Sequence, residues 1–130
     1  MKLFESLAQY RPPALGVLRI ITALQFIEHG SQKLFNFPVS AEPHTLTGLT
    51  TAAGILEFAG GILLALGLFT RPVAFLLAGE MAIAYFMAHF PRDFFPVNNG
   101  GDSAISFCFI FLYLIFAGSG AFALDNRRSA

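Results

Sequence analysis

Four runs of this 130-residue chain are apolar for about the thickness of a bilayer, yet ionisable side chains stand inside them. The runs cover about 14–35, 50–69, 72–90 and 103–124, and Arg19, Glu28, Glu57 and Glu80 lie within the first three. A charge at the centre of a membrane helix costs roughly 2.5–3.5 kcal/mol even on the lenient insertion scale. Several in so short a chain predict helices that share a polar interior. Four helices of roughly 20 residues, with their loops, consume nearly the whole chain. The predicted fold is an all-α integral membrane protein: a single domain over 1–130, folded as an antiparallel bundle of four transmembrane helices.

That leaves no soluble catalytic domain, and composition narrows the partners further. With 55% hydrophobic residues, 12% charged and 16 Phe, the chain lies outside the usual soluble range. A net charge of 0 without a basic stripe argues against nucleic acid. The expected partners are membrane lipids, lipophilic small molecules and other proteins. Cys108 is the single cysteine, which excludes an internal disulfide and a CxxC redox pair. Electrons, if the chain handles any, must be carried by something bound.

Punctuation along the chain sets the connections. Pro12 and Pro13 suit a helix start, where missing amide donors cost nothing. The first run is too long for a signal peptide, is interrupted by Arg19, Gln25 and Glu28, and ends in "HGSQKLFNF" rather than a small-residue cleavage site. Turn-forming residues fill "NFPVSAEPHTLTG" and "PRDFFPVNNGGD", and Pro72 in "TRP" opens the third run. Lys2, Arg11, Arg71, Arg127 and Arg128 fall on one side of the bundle, against Lys33 and Arg92 on the other. By the positive-inside rule both termini face the cytoplasm.

Rise per residue then puts Arg19 roughly 8 Å, Glu80 roughly 12 Å and Glu57 roughly 18 Å from the cytoplasmic end. Arg19, Glu57 and Glu80 form a predicted buried polar core, in which Arg19 clamps Glu80 or Glu57. The alternative is that Arg19 snorkels to the headgroups. Gly54, Gly60, Gly61 and Gly67 surround Glu57 at spacings that let helix backbones approach closely, so Glu57 is expected to face inward with Gly61. Glu80 is either ion-paired and inert or a proton carrier.

A second polar group is expected at the outer end: Glu28, His29 and Lys33 from the first helix, His89 from the third, then Asn98, Asn99 and Asp102. Two histidines and two carboxylates invite a metal or haem reading, but the spacing matches no recognised metal motif. The more economical expectation is no metal, and a pocket for a headgroup, a quinone carbonyl or a partner protein. On the fourth helix, Phe109, Tyr113 and Phe116 fall in a stripe with Ser106 and Gly120. This stripe would suit a flat lipophilic ring, or it is ordinary packing or lipid-facing phenylalanine. A phenol in hydrocarbon needs a partner, so Tyr113 is expected to face inward.

Taken in order, "LR" at Leu18 and Arg19, "HGSQKL" at 29–34, "ILEFAGGILLALGLFTR" at 55–71, Glu80, "NNGGD" at 98–102 and "GSGAFALD" at 118–125 resemble the DoxX family. These are small bacterial four-helix membrane proteins, and the likeness covers nearly the whole chain. It departs at Asp102, where the family commonly has glutamate, and at Phe122 and Ala123, which replace an aromatic and serine pair. The resemblance implies a multi-pass protein of the bacterial inner membrane. It also implies a non-autonomous subunit of a membrane redox complex, related to thiosulfate:quinone oxidoreductase subunits. Such a subunit would have no intrinsic cofactor, would bind a quinone in the bundle, and would work with a soluble redox partner. A small transporter and a scaffold for partner proteins are the alternatives, and the lipid-facing surface leaves room for a homodimer.

Overall fold

The computed structural model describes residues 2–128; the side chains of Lys2 and Arg128, part of the charge asymmetry above, lie outside the described residues. Among the described residues all regular structure is helical. A short α1 (Lys2–Ser6) and a 3₁₀ turn (Leu7–Tyr10) lead into α2 (Arg11–Phe35). Then come α3 (Gly48–Leu66), α4 (Thr70–Ala84, continued by a π turn, Tyr85–His89), α5 (Pro96–Asn99), α6 (Asp102–Ala117) and α7 (Asp125–Arg128). Helices α3 and α4 with its π turn are long and apolar enough to cross a membrane, and α6 is a shorter apolar helix.

Local chemistry sets the helix ends. Pro12 and Pro13 fall in the first turn of α2, where proline is tolerated. Thr47 and Thr50 close a reciprocal capping box at the start of α3, and Gly67, at φ 63°, ends it in the left-handed conformation. The start of α4 is capped from far away: the Asp125 carboxylate accepts from Phe69 N at 2.8 Å and Thr70 N at 2.9 Å. The fourth long helix is shorter than expected. It ends at Ala117 rather than near Leu124, because Gly118, Gly120 and Phe122 all adopt positive φ and turn the chain back across the bundle. Ala121 N then reaches Pro12 O at 2.8 Å, tying this return to the start of α2.

α2 packs closely along α3, α4 along α6, and α3 joins the two pairs through α4. Glycines set the first contact. A Cβ on Gly30 would stand 2.4 Å from Phe58 N, and one on Gly61 would stand 3.0 Å from Ile27 N. Only a hydrogen fits there, so the α2 and α3 backbones touch. The second pair meets the first through rings: Phe26 of α2 sits edge-on to Phe107 at 5.0 Å and Phe111 at 4.7 Å on α6. Leu64, Leu77 and Leu114 complete this buried core. Outward, each long helix presents large apolar side chains, among them Ile21, Ile55, Phe75 and Phe116. A soluble monomer rarely exposes apolar surface on this scale.

Candidate functional site

Arg19 does not clamp a carboxylate. It is fully buried, and its guanidinium donates only to main-chain carbonyls: Nε to Ser119 O at 2.8 Å, Nη1 to Leu64 O and to Ala65 O at 2.8 Å, and Nη2 to Ala121 O at 3.1 Å and Phe122 O at 2.9 Å. These oxygens come from the last turn of α3 and the loop after α6. The first carries the negative end of a helix dipole, which suits a cation, and five contacts match the five N–H donors of a guanidinium. Arg19 therefore joins α2, α3 and the return loop instead of meeting Glu57 or Glu80. Nor does it snorkel.

The carboxylates meet a different cation. Lys33, near the end of α2, pairs with Glu57 Oε1 of α3. Glu57 is only 2% exposed, and it shares its face with Gly61, as expected. The close approach permitted by Gly30, Gly54 and Gly61 lets the lysine reach in. The remaining Glu57 oxygen, Oε2, and both oxygens of Glu80 are buried without a hydrogen-bond partner.

All three residues line one cavity of about 770 Å³ between α3 and α4. The rest of its wall is almost wholly apolar and includes Leu49, Leu56, Phe75, Leu76, Ile83, Met87, Cys108 and Leu112. The result is a hydrocarbon-lined groove with an ion pair and an unpaired carboxyl group in its wall. That pattern, apolar walls around a few convergent polar groups, is the usual form of a small-molecule site. Residues able to bind or move a proton belong to the wall of this volume. A second cavity, about 730 Å³, lies where α4 begins and α6 ends. Most of its polar groups are committed: Asp125 caps α4, Arg71 holds Ile115 O and Phe116 O, and Asn126 donates to Gly120 O at 2.8 Å, while Thr70 Oγ1 is buried without a partner. It reads as a stapled helix junction.

The expected outer pocket divides. Lys33 belongs to the groove. Glu28 and His29 are exposed, with the His29 ring edge-on to Phe107 at 6.0 Å. His89 Nδ1 lies 3.1 Å from Asn99 O, and buried Asn99 donates to Asp93 O at 2.9 Å and accepts from Gly101 N at 2.8 Å. These contacts fix the connection between α4 and α6, while Asp102 is exposed at the start of α6. Among the described residues no three His, Cys, Asp or Glu side chains gather as a metal set would.

The aromatic stripe also takes the other face. Phe109, Tyr113 and Phe116 are 67%, 57% and 78% exposed and point away from the bundle, so Tyr113 does not face inward. Ala104, Phe107, Phe111 and Leu114 turn in instead. The groove wall itself, from Leu49 to Met87, was not anticipated. Its only sequence signal was a pair of carboxylates on neighbouring apolar runs.

Buried charges inside close-packed apolar helices, with an apolar outer surface, define a helical membrane protein. Comparison with known proteins narrows the class: the DoxX family model matches residues 14–90, and the chain belongs to the DoxX family. It is 45% identical over 134 residues to an uncharacterized protein of Haemophilus influenzae, covering 95% of this chain and 96% of the relative. It is also 26% identical over 136 residues to an uncharacterized membrane protein of Mycobacterium tuberculosis, covering 91% and 83%. No solved structure matches the chain.

Proposed function

We propose that this DoxX protein is a four-span subunit of the bacterial inner membrane, with both termini in the cytoplasm. It takes a quinone or similar lipophilic ring into the groove between α3 and α4 and serves a soluble redox partner. The observation that carries this reading is Glu80: a carboxyl group with two unpartnered oxygens, in the wall of a largely apolar cavity large enough for a substituted ring. A change in the oxidation state of a quinone moves protons as well as electrons, and Glu80 can give or take a proton at the ring. The Lys33–Glu57 pair holds a fixed charge beside it. With one cysteine and no dithiol, the chain leaves the electrons to the ring and the partner.

A transport path is less well supported. It would need polar groups at successive depths along one passage, whereas Arg19 is fully occupied by carbonyls and Lys33, Glu57 and Glu80 share one cavity. Purification from native membranes in mild detergent, followed by mass spectrometry, tests the proposal. Stoichiometric quinone and a co-purifying redox protein are expected. Bulk lipid alone, with substrate flux in proteoliposomes, would replace this reading with transport.

A further inference from the structure

The hydrogen-bonding groups in the groove are unbalanced in one direction. Glu57 is 2% exposed, and its Oε2 is buried in the cavity wall without a donor, as are both oxygens of Glu80. Side-chain donors on the same wall are fewer: Thr50 Oγ1 is engaged with Thr45 O at 2.8 Å and Cys108 Sγ with Ala78 O at 3.4 Å, and Lys33 Nζ, paired with Glu57 Oε1, has two further hydrogens for three unpartnered oxygens. Beyond the first turn of each helix, the backbone donors of α3 and α4 are spent within the helices. A proton on Glu80 would convert one acceptor to a donor and still leave an excess of acceptors.

Lys33 cannot serve all three oxygens, so an occupant that satisfies this wall brings O–H groups with it. We propose that the groove selects lipophilic rings carrying hydroxyl groups, the reduced quinol form, over rings of the same size carrying only carbonyls or ethers. This inference rests on the lipophile reading of the groove. A quinol hydroxyl donates to Glu80 or Glu57 Oε2, whereas a quinone carbonyl finds only Lys33 as a side-chain donor and leaves the buried oxygens unpaired. Sites built to hydrogen-bond a substrate hydroxyl discriminate strongly against analogues that lack it, because their own polar groups are then left without partners. The preference also has a redox consequence: if the reduced form binds tenfold tighter, the potential of the bound two-electron couple rises by about 30 mV.

The test uses the purified full-length chain in mild detergent and three probes that share a decyl tail and a fully substituted ring. These are a hydroquinone kept reduced under argon, its dimethyl ether, and the matching quinone; full substitution leaves no ring position for thiol addition. Cys108 lines the groove and is the only thiol, so protection of Cys108 from alkylation reports occupancy at this place. The hydroquinone is expected to protect Cys108 at about tenfold lower concentration than the ether or the quinone. In Glu80→Gln, whose amide supplies donors, the ratio should shrink, and in Glu80→Leu, checked for a monodisperse peak, it should fall further. Equal protection by quinone and hydroquinone overturns the selectivity and leaves the lipophile reading standing. Protection by none of the three overturns both.

Discussion

Lys33 and Glu57, 24 positions apart, form an ion pair across the α2–α3 contact and leave the second Glu57 oxygen buried without a partner. The pair is held where two backbones touch through Gly30 and Gly61. One contact between helices thus carries both packing and the polar wall of the site.

Removing one member of that pair should cost more than removing both. Lys33→Met leaves a carboxylate that is 2% exposed with no cation, a loss of about 3–5 kcal/mol for a broken buried pair. Lys33→Met with Glu57→Leu should recover most of it. Thermal unfolding of the two variants in one detergent, followed by loss of the monodisperse peak, checks this. A double variant no more stable than the single one would contradict it.

Arg19 should be irreplaceable by lysine. An ammonium has three donors and no planar fork, and it cannot serve the α3 end and the return loop together. Arg19→Lys should lower stability by about 1–3 kcal/mol, and Arg19→Leu, which removes the donor from five carbonyls at once, by more. Thermal melts of the purified variants measure both. A lysine variant as stable as wild type would place the weight of this junction elsewhere.

Glu80 should show the opposite sign. Its buried oxygens have no partners, so Glu80→Leu exchanges an unsatisfied polar group for an apolar one and should raise stability by about 1–3 kcal/mol. The same substitution should remove most of the preference for the hydroquinone. A site held at a cost to stability is expected where function requires the strain. If Glu80→Leu melts earlier than wild type, the carboxyl group is structural.

The glycines divide in the same way. Gly30→Ala drives a methyl into the Phe58 backbone and should weaken folding, whereas a Cβ on Gly79 meets nothing within 4 Å. Gly79→Ala should therefore fold normally and gain helix propensity of about 1 kcal/mol. Expression and melting of the two alanine variants side by side make the comparison. Equal loss in both would contradict the packing described for α2 and α3.

Much of this was legible in the chain. The proline openings, the turn-rich connections and the glycines beside Glu57 locate the long helices to within a few residues. The end of α6 was hidden because "AGSGAFAL" remains apolar, although Gly118 and Gly120 were there to signal a turn. The inward face of α6 was hidden for another reason: Phe107, Phe111 and Leu114 repeat at the same spacing as Phe109, Tyr113 and Phe116, and a helix apolar all round does not say which side is in. The partners of Arg19 could not be read at all. Main-chain carbonyls exist at every residue, and only the fold decides which five converge. The sequence places Lys33 in the outer pocket with Glu28 and His29, but its long side chain reaches back to Glu57, and position along a helix axis does not register that reach.

The groove itself is most directly tested by filling it. Gly79 lines the cavity and has open space around it, so Gly79→Phe should block the volume without disturbing the helix contacts. The measurement is the quinone-to-protein ratio of wild type and Gly79→Phe purified side by side from native membranes, with folding checked by melting temperature. Wild type should retain stoichiometric quinone, and a normally folded Gly79→Phe should retain almost none. Equal quinone in both would show that the lipophile does not occupy the groove beside Lys33, Glu57 and Glu80.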